Sequence, residues 1–409
     1  MIVYRKIFKE YWNPYIAISL AGLISALYFG ITGTVWAVTG EFTRFGGHVL
    51  QWFGVDISQW AYFKLIGMQG TPFNRTDGWI VIGMFLGALI TILLSNSFKI
   101  RVPRQKRRLI QGFIGGITAG FGARLALGCN LAAFFTGVPQ FSFHSWIFML
   151  TTAIGTFFGV KVVNTRWWLG KPILQKGSFK PIGTGQSRSS NIQPILGLLI
   201  ACFYIGIVIY FFTVGNHLLA TACIAGVLFG VLIERGQICF TSAFRDLWIS
   251  GRALMSKAIA VGMMVSVVIT FFYIQHGSVA LIKVAAPSTV IGGLLFGFGI
   301  VLAGGCETGM MYRAMEGQVI FWVVGIGNIV GATLLAYGWD HLGMFNALAK
   351  DWPKANLIQM WGPYGALFGT ISMLIVWFLL SNWWESHYRY GSGLKNKETK
   401  QLTNRTTEA

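Results

Sequence analysis

The chain has 409 residues, of which 54% are hydrophobic and 11% are charged, and its formal net charge is +19. A soluble domain carries about a quarter charged residues, so this composition excludes an ordinary soluble globule. The positive charge sits in short clusters beside apolar runs, as in loops that flank membrane spans, and this pattern excludes a nucleic-acid partner.

The first fifteen residues, MIVYRKIFKEYWNPY, are basic and lead into an apolar run without a small-residue cleavage site. They predict an uncleaved first helix. Apolar stretches approaching the ~20 residues of a bilayer-spanning helix recur at 15–35, 79–97, 109–126, 146–163, 193–214, 217–233, 253–275, 288–304, 318–337 and 363–380. The fold class is therefore an all-α polytopic membrane protein with about ten transmembrane helices. The short alternating segments of a β-barrel are absent. Basic clusters lie in residues 1–13, in KIRVPRQKRR (Lys99 to Arg108), between Lys161 and Arg188, and after Glu385. With ten spans, every cluster falls on one side. The charge bias then places both termini in the cytoplasm of a multi-pass protein of the inner (plasma) membrane.

Four further segments are too short to span: 35–47, 128–137, 237–251 and 305–317. They are expected to be re-entrant half-helices, since irregular backbone at membrane depth must be buried or line a cavity. Two of them belong to an internal repeat. GFGARLALGCNLAAFF (Gly120 to Phe135) and GFGIVLAGGCETGMMY (Gly297 to Tyr312) agree at seven of sixteen positions, and Ile-Gly-Gly precedes both. Thr39 and Phe42 likewise match Thr241 and Phe244. The chain divides into a first transmembrane repeat (1–163), a basic cytoplasmic linker (164–192) and a connecting span (193–216). A second repeat (217–337) and a final part with an outer loop, last span and basic tail (338–409) follow. The connecting span inverts the second repeat relative to the first, the arrangement that builds a transport path between two halves.

Three of the five cysteines, Cys129, Cys239 and Cys306, stand where a span breaks into a half-helix. Glycine before the thiol permits a sharp break, and half-helix N-termini suit an anion. If the halves meet, Cys129 faces Cys306 near the axis and Cys239 joins them. Thiols give a nearly dry lining that offers S–H groups, which suits a soft sulfur- or selenium-bearing solute. Cys202 and Cys223, in mid-span, read as small core residues. Asn130 and Glu307 occupy matching repeat positions. Glu307 reads as a cap of its half-helix or a partner of Arg313, because a carboxylate on the path repels an anion. Arg124, matched by Val301, has two readings: attraction of the anion, or snorkelling to the interface. Glu234 with Arg235, and Arg245 with Asp246, read as structural ion pairs. No CxxC is present and the histidines are isolated, so neither a metal site nor a cofactor is expected.

The motifs GCN (Gly128 to Asn130), ICF (Ile238 to Phe240) and GCETG (Gly305 to Gly309) resemble those of the YeeE/YedE family of sulfur-compound transporters. Longer strings, among them YFGITGTVWAVTGEFTRFGG and LIERGQICFTSAFRD, are similar to its YedE/FdhT branch, which is associated with selenium metabolism. The resemblance implies an hourglass-shaped inner-membrane protein that takes up thiosulfate. It implies that Cys129, Cys239 and Cys306 line the path, and that the anion passes by S–H···S hydrogen bonds without large domain motion. It also points to a cytoplasmic selenium- or sulfur-handling protein as partner. The residues themselves do not separate sulfur from selenium.

Two other functions compete. A membrane enzyme with a catalytic cysteine needs a nearby base, yet no histidine lies within ten residues of the three cysteines, and no catalytic residue is expected. A membrane accessory or anchor protein for a selenium-dependent oxidoreductase calls for a large polar surface, and the inner loops are short.

Overall fold

The structure is a computed structural model that describes residues 8–170 and 192–391. Among these the protein is an all-α polytopic membrane protein, with ten helical segments long and apolar enough to cross a bilayer. The first part carries α1 (Pro14–Thr32), α2 (Thr39–Trp52), α3 (Thr76–Leu94), α4 (Lys106–Leu125) and α5 (Phe143–Val163). After α6 (Ile192–Thr213) come α7 (His217–Arg235), α8 (Phe240–Ser250), α9 (Leu254–Gln275), α10 (Pro287–Ala303), α11 (Glu307–Met315) and α12 (Val319–His341). The last helix, α13 (Leu357–Gly391), kinks at Gly362, where φ is 74°, just before Pro363. Each expected span is helical over nearly its expected range. Most of the basic linker (171–191), the first seven residues and the basic tail from 392 lie outside the described residues.

The centre of the molecule is the crossing of α4 and α10. A Cβ on Gly115 would stand 2.3 Å from the Ala303 nitrogen, and one on Gly299 2.4 Å from that of Ala119. Gly122 and Gly292 repeat this against Phe296 and Ala126 at 2.5 Å each. In lipid, where apolar side chains gain little by leaving the solvent, such close backbone approach supplies the packing attraction between helices. Around this pair, α4 packs on α12 and α10 on α5, while α1 packs on α9 and α3 on α7. Exchanging the two sequence halves maps each pairing onto another of the set.

α6 lies at the perimeter against α3 and α7, with only Gly197 and Tyr204 of it buried. Cys202, read from sequence as a core residue, is exposed on this helix. Lipid and protein interior are equally apolar, so hydropathy does not separate them. Cys223 is buried in the core as expected.

The connections form two faces. On the loop face the Tyr62 amide donates to Asp340, Ala285 to the Pro353 carbonyl and Leu357 to that of Phe141. A buried ion network pins α2 on that side: Arg44 holds Asp77 at 2.7 Å and Glu41 at 2.9 Å, and Arg75 holds Glu41 at 2.6 Å. On the basic face the Lys99 amide donates to Glu316 and that of Arg101 to Gly317. There the pairs Glu234–Arg235 and Arg245–Asp246 form as expected.

Candidate functional site

All three motif cysteines occupy the position just before a short helical turn. Cys239 precedes α8 and Cys306 precedes α11; Cys129 precedes a π-helical turn, Asn130–Phe135. Each has extended backbone, and none caps the turn with its side chain. Their carbonyls open the turns instead, accepting from Ala133 (2.7 Å), Ser242 (3.1 Å) and Met310 (2.7 Å).

The residue that reverses the chain is not the glycine adjoining the thiol. It stands two places before each cysteine: Leu127 (φ 56°), Gln237 (φ 48°) and Gly304 (φ 80°). Two of the three are not glycine, and a left-handed L-residue costs about 1–2 kcal/mol. Gly128 serves a close approach instead, since a Cβ there would stand 2.8 Å from Lys283 Nζ.

The sulfur–sulfur approach among the described residues is Cys239 to Cys306, at 4.0 Å, with both side chains buried. Gly309 makes room for it: a Cβ there would lie 2.8 Å from Cys239 Sγ and 3.8 Å from Cys306 Sγ. Cys129 is also buried but is not in sulfur contact with that pair; the Thr39 side chain lies beside it. The Glu307 carboxylate acts electrostatically on both Cys129 and Cys306.

Glu307 neither holds Arg313 nor occupies the capping position, which belongs to Cys306. Six residues along a helix carry a side chain well off its starting side. Arg313 donates to the Gly304 carbonyl (3.0 Å) and the Tyr312 hydroxyl (3.2 Å) and lies 5.2 Å over the Phe321 ring. Glu307 Oε1 instead accepts from Asn328 Nδ2 on α12 at 3.1 Å. Its Oε2, both polar atoms of the Asn130 amide, Asn328 Oδ1, the Thr241 hydroxyl and Arg124 Nε are buried without a hydrogen-bond partner. Buried polar groups are ordinarily satisfied. Asn130 and Glu307 directly follow Cys129 and Cys306 in the chain, so three of these unpaired atoms belong to residues adjoining motif cysteines.

A chamber opens beside each of two breaks. On the loop face a cavity of about 410 Å³ is lined by Arg124, Leu127, Lys283, Lys354, Tyr62 and Trp339. On the basic face a cavity of about 410 Å³ is lined by Val301, Gly304, Arg108, Arg245, Asp246 and Phe321. Arg124 with Leu127, and Val301 with Gly304, are equivalent positions of the repeat, so the cavities flank matching bends.

Lys283, which sequence reasoning passed over, approaches the Cys129 turn from the connection between α9 and α10. Its Nζ donates to the Ala132 carbonyl at 2.7 Å, and its amide to Ser142 at 3.3 Å. Burial, and then the neighbouring Arg124 charge, pull this ammonium down to about 7. Asn328 was missed as well. Neither residue belongs to a motif or to the aligned repeat, and only the tertiary fold brings them to the cysteines. Among the described residues no three His, Cys, Asp or Glu side chains group as a metal site.

A family model described as sulphur transport matches residues 1–158 and 235–408. The chain is 51% identical over 387 residues to a "Probable transporter YedE" of Salmonella typhimurium, covering 94% of this chain and 95% of that protein. It is 50% identical over 379 residues to the Escherichia coli protein of the same name, covering 93% and 94%. A "Thiosulfate transporter TsuA" of Escherichia coli is 42% identical over 108 residues, 26% of this chain and 31% of that protein.

Proposed function

The chain belongs to the sulphur-transport family, and on that footing we propose that it imports a small sulfur- or selenium-containing anion of the thiosulfate type across the inner membrane. The anion crosses unchanged. The loop face lies outside, and the basic face and both termini lie in the cytoplasm, where a sulfur- or selenium-handling protein receives the cargo. The repeats 1–163 and 217–337 are inverted halves around the α4–α10 crossing. The four short helical segments are re-entrant, and Cys129, Cys239 and Cys306, with Asn130, Glu307 and Arg124, line the path.

The observation that carries this reading is the buried Cys239–Cys306 thiol pair at 4.0 Å. Two thiols at that distance, each at the start of a short helix, can share one soft sulfur atom by weak S–H bonds. A strongly hydrated ion would lose more there than thiols return. The test is uptake of labelled thiosulfate by proteoliposomes, competed with selenite and selenosulfate. Saturable accumulation of unaltered thiosulfate that Cys306→Ala abolishes is expected. Absence of accumulation in the wild type, or a chemically altered product, would overturn transport in favour of an accessory or enzymatic role.

A further inference from the structure

Two buried threonines open short helices in the same register of the repeat. Thr39 is the first residue of α2 and Thr241 the second of α8, and they match as Phe42 and Phe244 do. Both side chains are shut off from solvent, and neither hydroxyl has a hydrogen-bond partner. Threonines further along the helices close on the carbonyl of the preceding turn: Thr43 on Thr39 at 2.9 Å, Thr91 on Gly87 at 2.6 Å, Thr151 on Ile147 at 2.9 Å and Thr333 on Ile329 at 2.8 Å. A residue in the first turn has no helical carbonyl behind it, and what the helix offers there are N–H donors. A hydroxyl held among donors is completed by an acceptor. Thr152 and Thr370 also lack a partner, but they stand in mid-helix on α5 and α13, away from the cysteine breaks.

The acceptors nearest to the two hydroxyls are already engaged. At the start of α2 the Val38 carbonyl accepts from the amides of Glu41 (3.1 Å) and Phe42 (3.3 Å). At the start of α8 the Cys239 carbonyl accepts from the Ser242 amide at 3.1 Å and the Ser242 hydroxyl at 2.6 Å. A carbonyl has two lone pairs, so each of these is filled. Both threonines also stand next to the motif thiols. The Thr39 side chain lies beside Cys129, and Thr241 follows Cys239 by two residues. The repeat equates Cys129 with Cys306 and Thr39 with Thr241, so each half supplies a hydroxyl and a thiol in equivalent registers.

We propose that Thr39 and Thr241 are specificity-determining residues of the path, each donating its O–H to an oxygen of a sulfur oxyanion whose terminal sulfur rests on a motif thiol. The division of labour follows from the donors. A thiol is a weak donor and holds a soft sulfur atom, whereas a hydroxyl is a stronger donor and suits a charged oxygen. Together they fit an anion that carries a bare sulfur at one end and oxygens at the other. An all-oxygen anion leaves the thiols without a soft partner, and an oxygen-free sulfur anion leaves the hydroxyls bare. An open buried hydroxyl costs stability while the path is empty. Arrival of the right anion removes that cost, so the hydroxyls favour it over its competitors. The inference rests on the transport reading above.

The experiment compares wild type with Thr39→Val, Thr39→Ser, Thr241→Val, Thr241→Ser and the control Thr370→Val, which removes a buried unpartnered hydroxyl from mid-helix. Uptake of labelled thiosulfate is measured over a concentration range in proteoliposomes, and thermal unfolding on the purified full chain with and without thiosulfate. Thr39→Val and Thr241→Val should each raise KM at least about tenfold, since a hydrogen bond to a charged group is lost. Serine at either position should restore it, and Thr370→Val should match wild type. Without thiosulfate none of the valine variants should unfold at a lower temperature, because no hydrogen bond within the fold is broken. Thiosulfate should stabilise wild type and Thr370→Val but neither of the other two valine variants. Wild-type KM in Thr39→Val or Thr241→Val would overturn the assignment. So would a fall in their unfolding temperature without thiosulfate, which would show that the hydroxyl serves the fold. The two claims fail separately: a wild type that thiosulfate stabilises through these hydroxyls but that imports none defeats transport and keeps the assignment.

Discussion

The segments Gly120–Phe135 and Gly297–Tyr312 share seven residues in register, and both bend a membrane helix into a short turn at a cysteine. The shared positions include Gly122 and Gly299, which let α4 and α10 touch, and the cysteine that opens the turn. The positions that differ decide what each bend does. Arg124 is answered by Val301, Asn130 by Glu307, and Ala132 by Gly309. In the other matched pair of segments, Ala37 is answered by Cys239. The loop-face bend thus has one thiol under a cluster of cations. The basic-face bend has two thiols in contact, made possible by the missing Cβ of Gly309. One backbone device has been fitted once for charge and once for sulfur.

The strongest way to break this comparison is to remove the paired thiols. Cys239→Ala and Cys306→Ala should each lower thiosulfate uptake by about a hundredfold or more. The double variant should be no worse than either single one, because residues acting as a unit do not add. Cys202→Ala, on the exposed side of α6, should transport normally. Rate losses that multiply in the double variant would show two independent sites and dissolve the pair.

A smaller effect, about tenfold, is expected from Gly309→Ala. Its Cβ would stand 2.8 Å from Cys239 Sγ, so the thiols must separate while little packing is lost. The reciprocal Ala132→Gly faces no second thiol and should leave uptake within twofold. Normal uptake by Gly309→Ala, in protein that reaches the membrane, would mean that sulfur contact is not required.

How much of this was legible follows from what each residue depends on. Ten spans and four short segments could be read because length and hydropathy are local. The cysteines could be read because the repeat places them at helix breaks. Which thiols touch could not: the repeat sets Cys129 opposite Cys306 with Cys239 joining them, because alignment pairs like with like, whereas the sulfur contact is between Cys239 and Cys306. Lys283 sits in a connection without periodicity and meets Cys129 through the fold alone. The left-handed residues were hidden for another reason. Sequence points to glycine for such backbone, yet two of the three bends use Leu127 and Gln237. Glu307 looked like a partner for Arg313 on charge alone, whereas helix geometry gives it to Asn328.

The cationic side of the comparison can be sharpened by pH. Lys283 is pulled down to about 7 by burial and by Arg124, with Cys129 acting the other way; Lys354 also lines the cavity. Below that value the ammonium is charged, and on the transport reading it attracts the anion; above it the charge is lost. KM for thiosulfate should therefore rise several-fold between about pH 6 and pH 8, and Lys283→Gln should flatten that rise. The linkage runs the opposite way for stability. The unfolded lysine keeps its proton to a higher pH, so this group adds stability as pH rises through 7 toward its unfolded value. A rise of KM in Lys283→Gln as steep as in wild type would assign the titration to another group.

The smallest effect tests the bends themselves, apart from transport. Gly304 and Gln237 hold the same left-handed backbone two residues before a cysteine. A Cβ on Gly304 would meet nothing within 4 Å, so Gly304→Ala isolates the conformational cost, about 1 kcal/mol of lost stability. Gln237→Gly removes that cost at the other thiol of the pair. It also removes the hydrogen bond from Gln237 Nε2 to the Glu234 carbonyl at 2.9 Å, itself worth about 1 kcal/mol, so its net change should be near zero. Thermal unfolding of the purified variants in detergent reads both. If Gly304→Ala is neutral while Gln237→Gly destabilises, the helix end at Gln237 is held by its side chain and the shared backbone is incidental. If Gly304→Ala destabilises and Gln237→Gly does not, the left-handed bend is the common element on which both thiols of the pair are mounted.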